Sequence, residues 1–317
     1  MKKETVLVTG GSGFLGVHTV LQLLQWGYTV RTTVRSLTKK DSVLHALNEG
    51  GITNVSALSF YEADLTSDKG WKEAISGCDY VLHVASPFPA SDPEDEMELI
   101  IPARDGALRV LKAALQAGVK RVVLTSSFAA VGYSPKPDGH LFTEEDWTSP
   151  GDVEQAYIKS KTLAEKAAWD FINNAGVGME LTVINPVGIF GPILGNISSA
   201  SVDGVIKKIL NGDSKESPAF TMGVVDVRDV ADLHIKAMLA PKAAGERFIA
   251  TADEIVSFYD VAQLIKQNRP GQSAAVADME PIPKQFYNGI SNQKAVTALQ
   301  WHPRSTQEAL LASVDSL

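Results

Sequence analysis

The sequence predicts an α/β protein with a doubly wound parallel sheet and a smaller, discontinuous cap. Short β-branched segments alternate with helix-like segments through the first two-thirds of the chain, a rhythm typical of parallel strands joined by helices. The segments Val6–Val8, Val81–Val84 and Val122–Leu124 are continuously apolar, as strands with helices on both faces are. A glycine-rich turn, Thr9–Gly16, follows the first of them. With 317 residues and 44% apolar side chains, the chain is long enough to bury a sizeable core.

Each predicted strand is a short run of β-branched or apolar residues, and each predicted helix repeats its apolar residues every three to four positions. The predicted strands are Thr5–Thr9, Thr29–Val34, Ser56–Tyr61, Tyr80–Val84, Arg121–Ser126 and Glu180–Asn185. The predicted helices between them include Phe14–Gln25, Leu99–Ala117 and Gln155–Asn173.

The alternation ends after Asn185. Residues 186–224 are rich in glycine, proline and serine, and a strand–helix segment then returns at Val224–Met238. From about Thr251 the chain is helical with proline breaks. We therefore expect a sheet domain of residues 1–187 plus 224–250 and a cap of residues 188–223 plus 251–317.

Composition and charge exclude several classes of partner. The 29 basic and 37 acidic residues give a net charge of −8, and without a long basic run this favours neither nucleic acid nor an anionic membrane. A single cysteine, Cys78, cannot form an internal disulfide, and no Cys/His cluster has zinc spacing. No window of 18 apolar residues and no signal-peptide cleavage pattern is present. We expect a cytoplasmic protein without a metal, as a monomer or homodimer.

The turn Thr9–Gly16 reads Thr-Gly-Gly-Ser-Gly-Phe-Leu-Gly between a predicted strand and a predicted helix. Glycines let a backbone turn tightly and approach a pyrophosphate, while the helix N-terminus offers free N–H groups to the anion. Alone, such spacing also describes an ordinary tight turn, but the strand before and the helix after favour a Rossmann-type dinucleotide site. The candidate residues are Thr9, Gly10, Gly13, Phe14, Leu15 and Gly16.

The end of the second strand favours NADPH over NADH. Sites for NAD carry an acid about 20 residues after the glycines, to bind the ribose 2′-hydroxyl. Here Arg35 lies 19 residues after Gly16, and a guanidinium suits a 2′-phosphate. Lys40 follows within reach and Arg31 comes from the same strand, although a solvated basic strand end is the alternative interpretation.

Asp64 and Leu65 follow the third strand. The Asp64 carboxylate can accept a hydrogen bond from the adenine amino group, or it can simply cap a helix. Both interpretations stay open at this point.

Two further motifs suit proton and hydride chemistry. Tyr157 and Lys161 lie at i and i+4 on one helix face, where a cation can stabilise a phenolate whose ordinary pKa is about 10. Thr125-Ser126-Ser127 ends a parallel strand, at the edge where such sheets bind ligands, and a hydroxyl there can donate to a carbonyl oxygen. Alone, the pair is an ordinary helix pair and the serines a turn. With the glycine turn, they predict hydride transfer to a carbonyl.

The chain resembles the extended short-chain dehydrogenase/reductases. Within them it is similar to the branch of dihydroflavonol reductases, cinnamoyl-CoA reductases and microbial aldehyde/ketone reductases. The residues that carry the resemblance are Thr9–Gly16, Arg31–Arg35, Asp64-Leu65, His83–Pro87, Thr125–Ser127, Tyr157…Lys161, Ser160–Glu165, Asn185–Val187 and Phe190–Pro192.

The resemblance implies a role for each residue of the site. Ser127 orients the carbonyl, Tyr157 donates the proton, and Lys161 lowers the pKa of Tyr157 and holds the nicotinamide ribose, while Ser126 acts through its backbone. Pro186 and Val187 line the nicotinamide, and Ser201 lies near the adenosine half. The further cofactor contacts of this NADP(H) site are Val84, Ala85, Ser86 and Thr125.

The sequence thus predicts an NADPH-dependent reductase of aldehydes or ketones, with a small-molecule carbonyl substrate bound under the cap. An NAD-dependent nucleotide-sugar epimerase or dehydratase would carry an acid at Arg35, and a non-catalytic NADP-binding sensor would lack Tyr157 or Lys161. Apolar side chains on the nearby loops are candidates for the substrate pocket, namely Phe88, Phe128, Tyr133, Ile193, Leu194, Phe220 and Met222.

Overall fold

The computed structural model describes residues 4–87, 94–176, 178–197 and 199–317. A seven-stranded parallel sheet forms its centre, in the spatial order β3-β2-β1-β4-β5-β6-β9. The order reverses beside β1, and in doubly wound sheets the crevice at that reversal is where ligands bind. The strands are β1 Thr5–Thr9, β2 Thr29–Val34, β3 Leu58–Glu62, β4 Tyr80–His83, β5 Arg121–Thr125, β6 Glu180–Pro186 and β9 Arg247–Ala250.

Helices cover both faces of this sheet, and its central strands β1, β5 and β6 are buried on both faces. Val6 and Val8 of β1 belong to one core cluster, and Leu7 between them belongs to the other. The first cluster packs under α1 Phe14–Gln25, α2 Lys40–Glu49, α7 Val227–Leu239 and α9 Gln293–Leu299. The second packs under α3 Trp71–Ile75, α4 Met97–Gln116 and α5 Ala156–Ala175.

A second, three-stranded sheet forms the centre of a smaller unit. Its strands are β7 Gly188–Phe190, β8 Met222–Asp226 and β10 Ile255–Val256, in the order β10-β8-β7. A third core cluster packs it against α8 Phe258–Asn268, α10 Thr306–Asp315 and a π-helix at Val202–Lys207, which runs on into α6 Lys208–Leu210. None of the helices in the described ranges is at once long and apolar enough to span a membrane.

The predicted fold class is confirmed, and several element bounds agree residue for residue. Thr5–Thr9, Thr29–Val34 and Phe14–Gln25 form as predicted, whereas the third strand begins at Leu58 rather than Ser56. The segment at Val224 does not add a strand to the large sheet, because β8 pairs with β7 and β10. Its helix α7 nevertheless packs in the first core cluster beside α1. The division into two domains stays a prediction.

Candidate active site

The glycine turn is built so that only glycine fits at its critical points. Gly10 adopts φ +72°, a left-handed conformation that favours glycine, and Gly13 N–H donates to Gly10 O at 2.9 Å. A Cβ on Gly16 would lie 2.1 Å from Gly10 O. Helix α1 begins directly after Gly13 without a side-chain cap, so its first N–H groups are available to an anion.

Thr9 fixes the neighbouring strand end rather than facing the turn. Its side chain is fully buried, and Thr9 Oγ1 accepts from the N–H groups of Val84 at 3.0 Å and Ala85 at 2.9 Å. Its own proton therefore goes to His83 Nδ1, 2.8 Å away. Burial, with the charge of Lys161, lowers the pKa of His83 to about 3, so the ring is neutral. The hydroxyl thus places residues 84 and 85 beside the glycine turn.

At the end of β2, the two arginines differ in what they contact. Arg31 Nη1 donates to three backbone carbonyls at the end of α3, those of Glu73, Ala74 and Ser76, so it is a structural residue. Arg35 is exposed, and its positive charge contributes to lowering the pKa of Asp64. The Arg35 guanidinium therefore lies near Asp64 with its surface open to a ligand.

Three more residues of the predicted adenosine side lie around this strand end. Asp64 Oδ1 accepts from Thr66 N–H at 2.8 Å and Thr66 Oγ1 at 2.6 Å, and these bonds are the main cause of its lowered pKa. Asp64 therefore caps the turn at residues 64–66 and not a helix, because the next helix begins only at Trp71; its contact with adenine stays a prediction. Leu65 packs against Gly106, and the exposed Lys40 places its Nζ 5.7 Å from the centre of the Phe60 ring.

Ser127, Tyr157 and Lys161 meet where β5 ends beside α5. Ser127 Oγ accepts from Ala129 N–H at 3.1 Å, which leaves its proton for the Tyr157 oxygen. Burial raises the pKa of Tyr157, and the hydrogen bond from Ser127 offsets part of that rise. Lys161 Nζ lies 5.4 Å from the centre of the Tyr157 ring and donates to Ser86 Oγ. Burial lowers the pKa of Lys161 to about 8.

Thr125 directs its hydroxyl elsewhere. Thr125 Oγ1 lies 2.7 Å from His234 Nε2, and His234 Nδ1 lies 2.7 Å from Val230 O. A backbone carbonyl only accepts, so Nδ1 carries the proton and Nε2 accepts from Thr125. Burial lowers the pKa of His234 to about 4, so the ring is neutral and ties β5 to α7.

One open cleft of about 240 Å³ brings together ten of the predicted residues. They are Phe14, Leu15, Val84, Thr125, Ser127, Tyr157, Lys161, Pro186, Val187 and Ser201. A small cavity of about 20 Å³ shares Thr125 and Lys161 with the cleft and is also lined by Leu65, Ala85 and Ser86. The structure therefore gathers the serine, the tyrosine and the lysine at the start of α1.

Some residues of this cleft were not predicted. Ile189, Ser199 and Ala200 line it as well. Ile189 lies between the motif segments Asn185–Val187 and Phe190–Pro192, and the other two directly precede Ser201, so the available signal was proximity in sequence to predicted residues. No group of three or more His, Cys, Asp or Glu side chains that could hold a metal occurs in the described part of the chain.

The predicted apolar substrate residues fall into two groups. Ile193, Leu194 and Met222 pack against the core clusters. Tyr133 and Phe220 are 51% and 48% exposed, and the Phe128 ring lies 6.3 Å from the Tyr133 ring at a tilt of 60°. Phe88 lies outside the described residues. The exposed aromatic side chains therefore remain as the candidates on the substrate side.

A doubly wound parallel sheet, with a glycine turn at its reversal point and a serine, tyrosine and lysine beside it, defines the class of dinucleotide-dependent enzymes. The model of the NAD dependent epimerase/dehydratase family matches residues 6–250. The chain belongs to this family, the extended short-chain dehydrogenase/reductases, and the resemblance drawn from the motifs is confirmed.

Similar proteins match along nearly the whole chain. Cinnamoyl-CoA reductase 1 of Arabidopsis thaliana is 40% identical, over 99% of this chain and 89% of that protein. The putative NADPH-dependent methylglyoxal reductase GRP2 of Candida albicans is 36% identical, over 92% of this chain and 91% of that protein. Among solved structures, yeast methylglyoxal/isovaleraldehyde reductase Gre2 complexed with NADPH has a TM-score of 0.86 at 28% identity, covering 98% of this chain and 97% of that chain.

Proposed function

We propose that this chain reduces the carbonyl group of an aldehyde or ketone with NADPH. The predicted enzyme class, an NADP-dependent oxidoreductase, is confirmed by relatives that are named as reductases and that match over 95% and 91% of their own length. The predicted cofactor is likewise confirmed by the relatives named for NADPH and by the Gre2 complex. The single observation that carries the proposal is the Ser127–Tyr157 hydrogen bond beside Lys161, in the cleft at the start of α1.

The described residues fit a dinucleotide phosphate. The space at Gly16, which a Cβ would fill, and the uncapped start of α1 suit a pyrophosphate, and the exposed Arg35 suits a 2′-phosphate. Pro186, Val187 and Ser201 line the cleft where the nicotinamide and the rest of the cofactor would extend. When bound, NADPH supplies the hydride.

The side chains of the cleft supply the proton and the polarisation. Once a substrate is bound, Ser127 Oγ turns its one proton from the Tyr157 oxygen to the carbonyl oxygen and donates to it as negative charge develops there. Because burial raises the pKa of Tyr157, the phenol holds its proton at neutral pH and donates it to the same oxygen. Lys161, whose pKa is about 8, is mostly cationic at pH 7 and stabilises the phenolate that is left.

The aromatic side chains near Tyr157 support a substrate with an apolar body. Burial raises the pKa of Tyr133, and the charge of Tyr157 adds to that rise, so the two phenols lie close together. Half of the Tyr133 surface is open, and Phe128 packs beside it. We assign these two residues to the substrate side, with residues 188–223 plus 251–317 as the cap, and keep a cytoplasmic monomer or homodimer as the prediction.

The test is a panel of aldehydes, ketones and ketoesters with NADPH or NADH, followed by absorbance at 340 nm. Wild-type protein should oxidise NADPH with some of these carbonyls, and the Tyr157→Phe variant should lose about 10²- to 10⁴-fold in kcat while its NADPH Kd is unchanged. Near-normal turnover by Tyr157→Phe would exclude Tyr157 as the acid. Inactivity with every carbonyl would contradict the proposed reaction.

A further inference from the structure

A buried carboxylate lies directly behind the catalytic serine. Glu165 on α5 has no exposed surface, and four donors surround it. Its Oε2 accepts from Ser126 Oγ at 2.5 Å and Asn185 Nδ2 at 2.7 Å. Its Oε1 accepts from Arg247 Nε at 2.6 Å and Trp169 Nε1 at 3.3 Å. A charge this deeply buried is tolerated only with such complete pairing.

The two carboxylate oxygens of Glu165 contact different parts of the protein. Oε1 joins α5 to Arg247 on β9 and to Trp169 on its own helix, contacts that serve the fold. Oε2 faces the two strands that end at the cleft, through Ser126 just after β5 and Asn185 on β6.

Asn185 connects Glu165 to Ser127 by hydrogen bonds. Besides its bond to Glu165, Asn185 Nδ2 donates to the backbone carbonyl of Ser127 at 3.2 Å. Asn185 Oδ1 is buried and has no hydrogen-bond partner within the described ranges. In this orientation the amide donates its N–H groups to Glu165 and Ser127, while its oxygen has no partner among the described residues. An unsatisfied buried oxygen lowers stability. A carboxylate can only accept, so its charge is what fixes this orientation of the amide.

We propose that Glu165 is a positioning residue for the reaction: through Ser126 and Asn185 it holds the end of β5 so that Ser127 Oγ meets Tyr157. The proposal rests on the proposed function, in which Ser127 orients the carbonyl. Because Glu165 and Tyr157 lie on the same helix, the carboxylate sets the spacing between strand and helix at the reacting groups.

The variant Glu165→Gln tests the charge at nearly constant size. Its amide oxygen can stay on Arg247, and its NH₂ group then faces Asn185 Nδ2, donor against donor. Asn185 must turn its Oδ1 inward, which removes the bond to the Ser127 carbonyl. We expect kcat to fall about 10- to 100-fold, as small misplacements of catalytic groups do, while the KM for NADPH stays within about twofold.

Two further variants make the result decisive. Asn185→Ala removes the amide that connects Glu165 to the Ser127 carbonyl and leaves the Glu165–Arg247 pair. It should therefore lower kcat about as much as Glu165→Gln does. The kcat of the double variant should fall no further than that of the more impaired single variant. Both substitutions remove the same bond, from Asn185 Nδ2 to the Ser127 carbonyl. Trp169→Phe is the matched control: it removes a donor from Oε1 only, and should lower Tm while kcat stays within about twofold.

Several outcomes would overturn the proposal. The first is a kcat for Glu165→Gln within twofold of wild type. The second is a double variant whose kcat loss is the product of the two single losses. The third is a kcat loss in Trp169→Phe as large as that in Glu165→Gln. If Glu165→Gln does not fold, Asn185→Ala decides alone, and a normal kcat there rejects the link. Tyr157→Phe separates the two proposals: if it is inactive while the Glu165 and Asn185 variants are active, only the positioning role fails, whereas an active Tyr157→Phe rejects the proposed acid.

Discussion

Lys161 should make the cofactor-free protein less stable than a variant with an apolar side chain at the same place. The lysine is 8% exposed, and burial lowers its pKa from 10.5 to about 8. A difference of this size corresponds to about 3 kcal/mol at 1.36 kcal/mol per pKa unit. The folded state carries that cost whenever the amine is charged, so Lys161→Met should increase the free energy of unfolding.

The effect has a definite pH dependence. Below pH 8 the folded and the unfolded chain both hold the proton on Lys161, and the folded state carries the full cost. Between pH 8 and pH 10.5 the folded protein releases the proton first, so the unfolded state binds more protons and wild-type stability rises with pH. The cost is about 3 kcal/mol at pH 7 and about 1 kcal/mol at pH 9.5.

The net gain is smaller because methionine loses the hydrogen bond to Ser86. Taking that bond as about 1 kcal/mol leaves a gain of about 2 kcal/mol at pH 7 and almost none at pH 9.5. For a chain of 317 residues, 2 kcal/mol raises Tm by about 3 °C.

Urea unfolding of cofactor-free protein, followed by tryptophan fluorescence at both pH values, measures the gain. The control is Lys112→Met on the exposed face of α4, which should change stability by less than about 0.5 kcal/mol. A Lys161→Met protein that is less stable than wild type at pH 7, or whose gain is the same at both pH values, would refute the reasoning. The first result would mean that contacts of the charged amine outweigh its burial.

Two further changes test the cofactor site. Arg35→Asp should weaken NADPH binding by about 1.5–3 kcal/mol and NADH binding little, since only the 2′-phosphate loses a charged partner; equal losses in fluorescence titrations would show that Arg35 does not bind the phosphate. Gly16→Ala places a Cβ 2.1 Å from Gly10 O, so the turn must open and binding of both cofactors should fall at least about tenfold. Gly271→Ala, where a Cβ meets nothing within 4 Å, should bind both normally, and normal binding by Gly16→Ala would contradict the proposed phosphate contact.

The parts of the fold that the sequence predicted are those governed by local pattern. The first strand and helix agree residue for residue because an apolar run, a glycine turn and a helical repeat follow one another without ambiguity. The segment at Val224 shows the limit: its strand–helix pattern is clear, but a pattern does not state which sheet a strand joins. Strand β8 joins the small sheet because its neighbours in space come from residues 188–190 and 255–256.

At the strand ends, the type of side chain alone does not tell which residues contact the rest of the fold and which are open to a ligand. Arg31 and Arg35 are both basic and lie four residues apart, yet Arg31 binds the end of α3 while Arg35 is exposed. Thr9 is predicted as a cofactor contact from the glycine turn and Thr125 from the resemblance, and both contacts stay predictions. The structure adds that the two hydroxyls bond the rings of His83 and His234, and both pairings join residues distant in sequence, which spacing cannot reveal.

Glu165 illustrates the same limit most sharply. In the sequence, Lys161 and Glu165 are spaced i and i+4, which is typical of an ion pair on an exposed helix face. Their spacing gives no sign that both side chains are buried. In the structure both are buried on α5, and each takes different partners: Lys161 bonds Ser86, and Glu165 bonds Ser126, Asn185 and Arg247. Burying a cation and an anion one turn apart is costly unless each is held by its own polar groups. The same helix thereby carries both Lys161, which lies beside the predicted acid Tyr157, and the carboxylate that we propose holds the strand facing it.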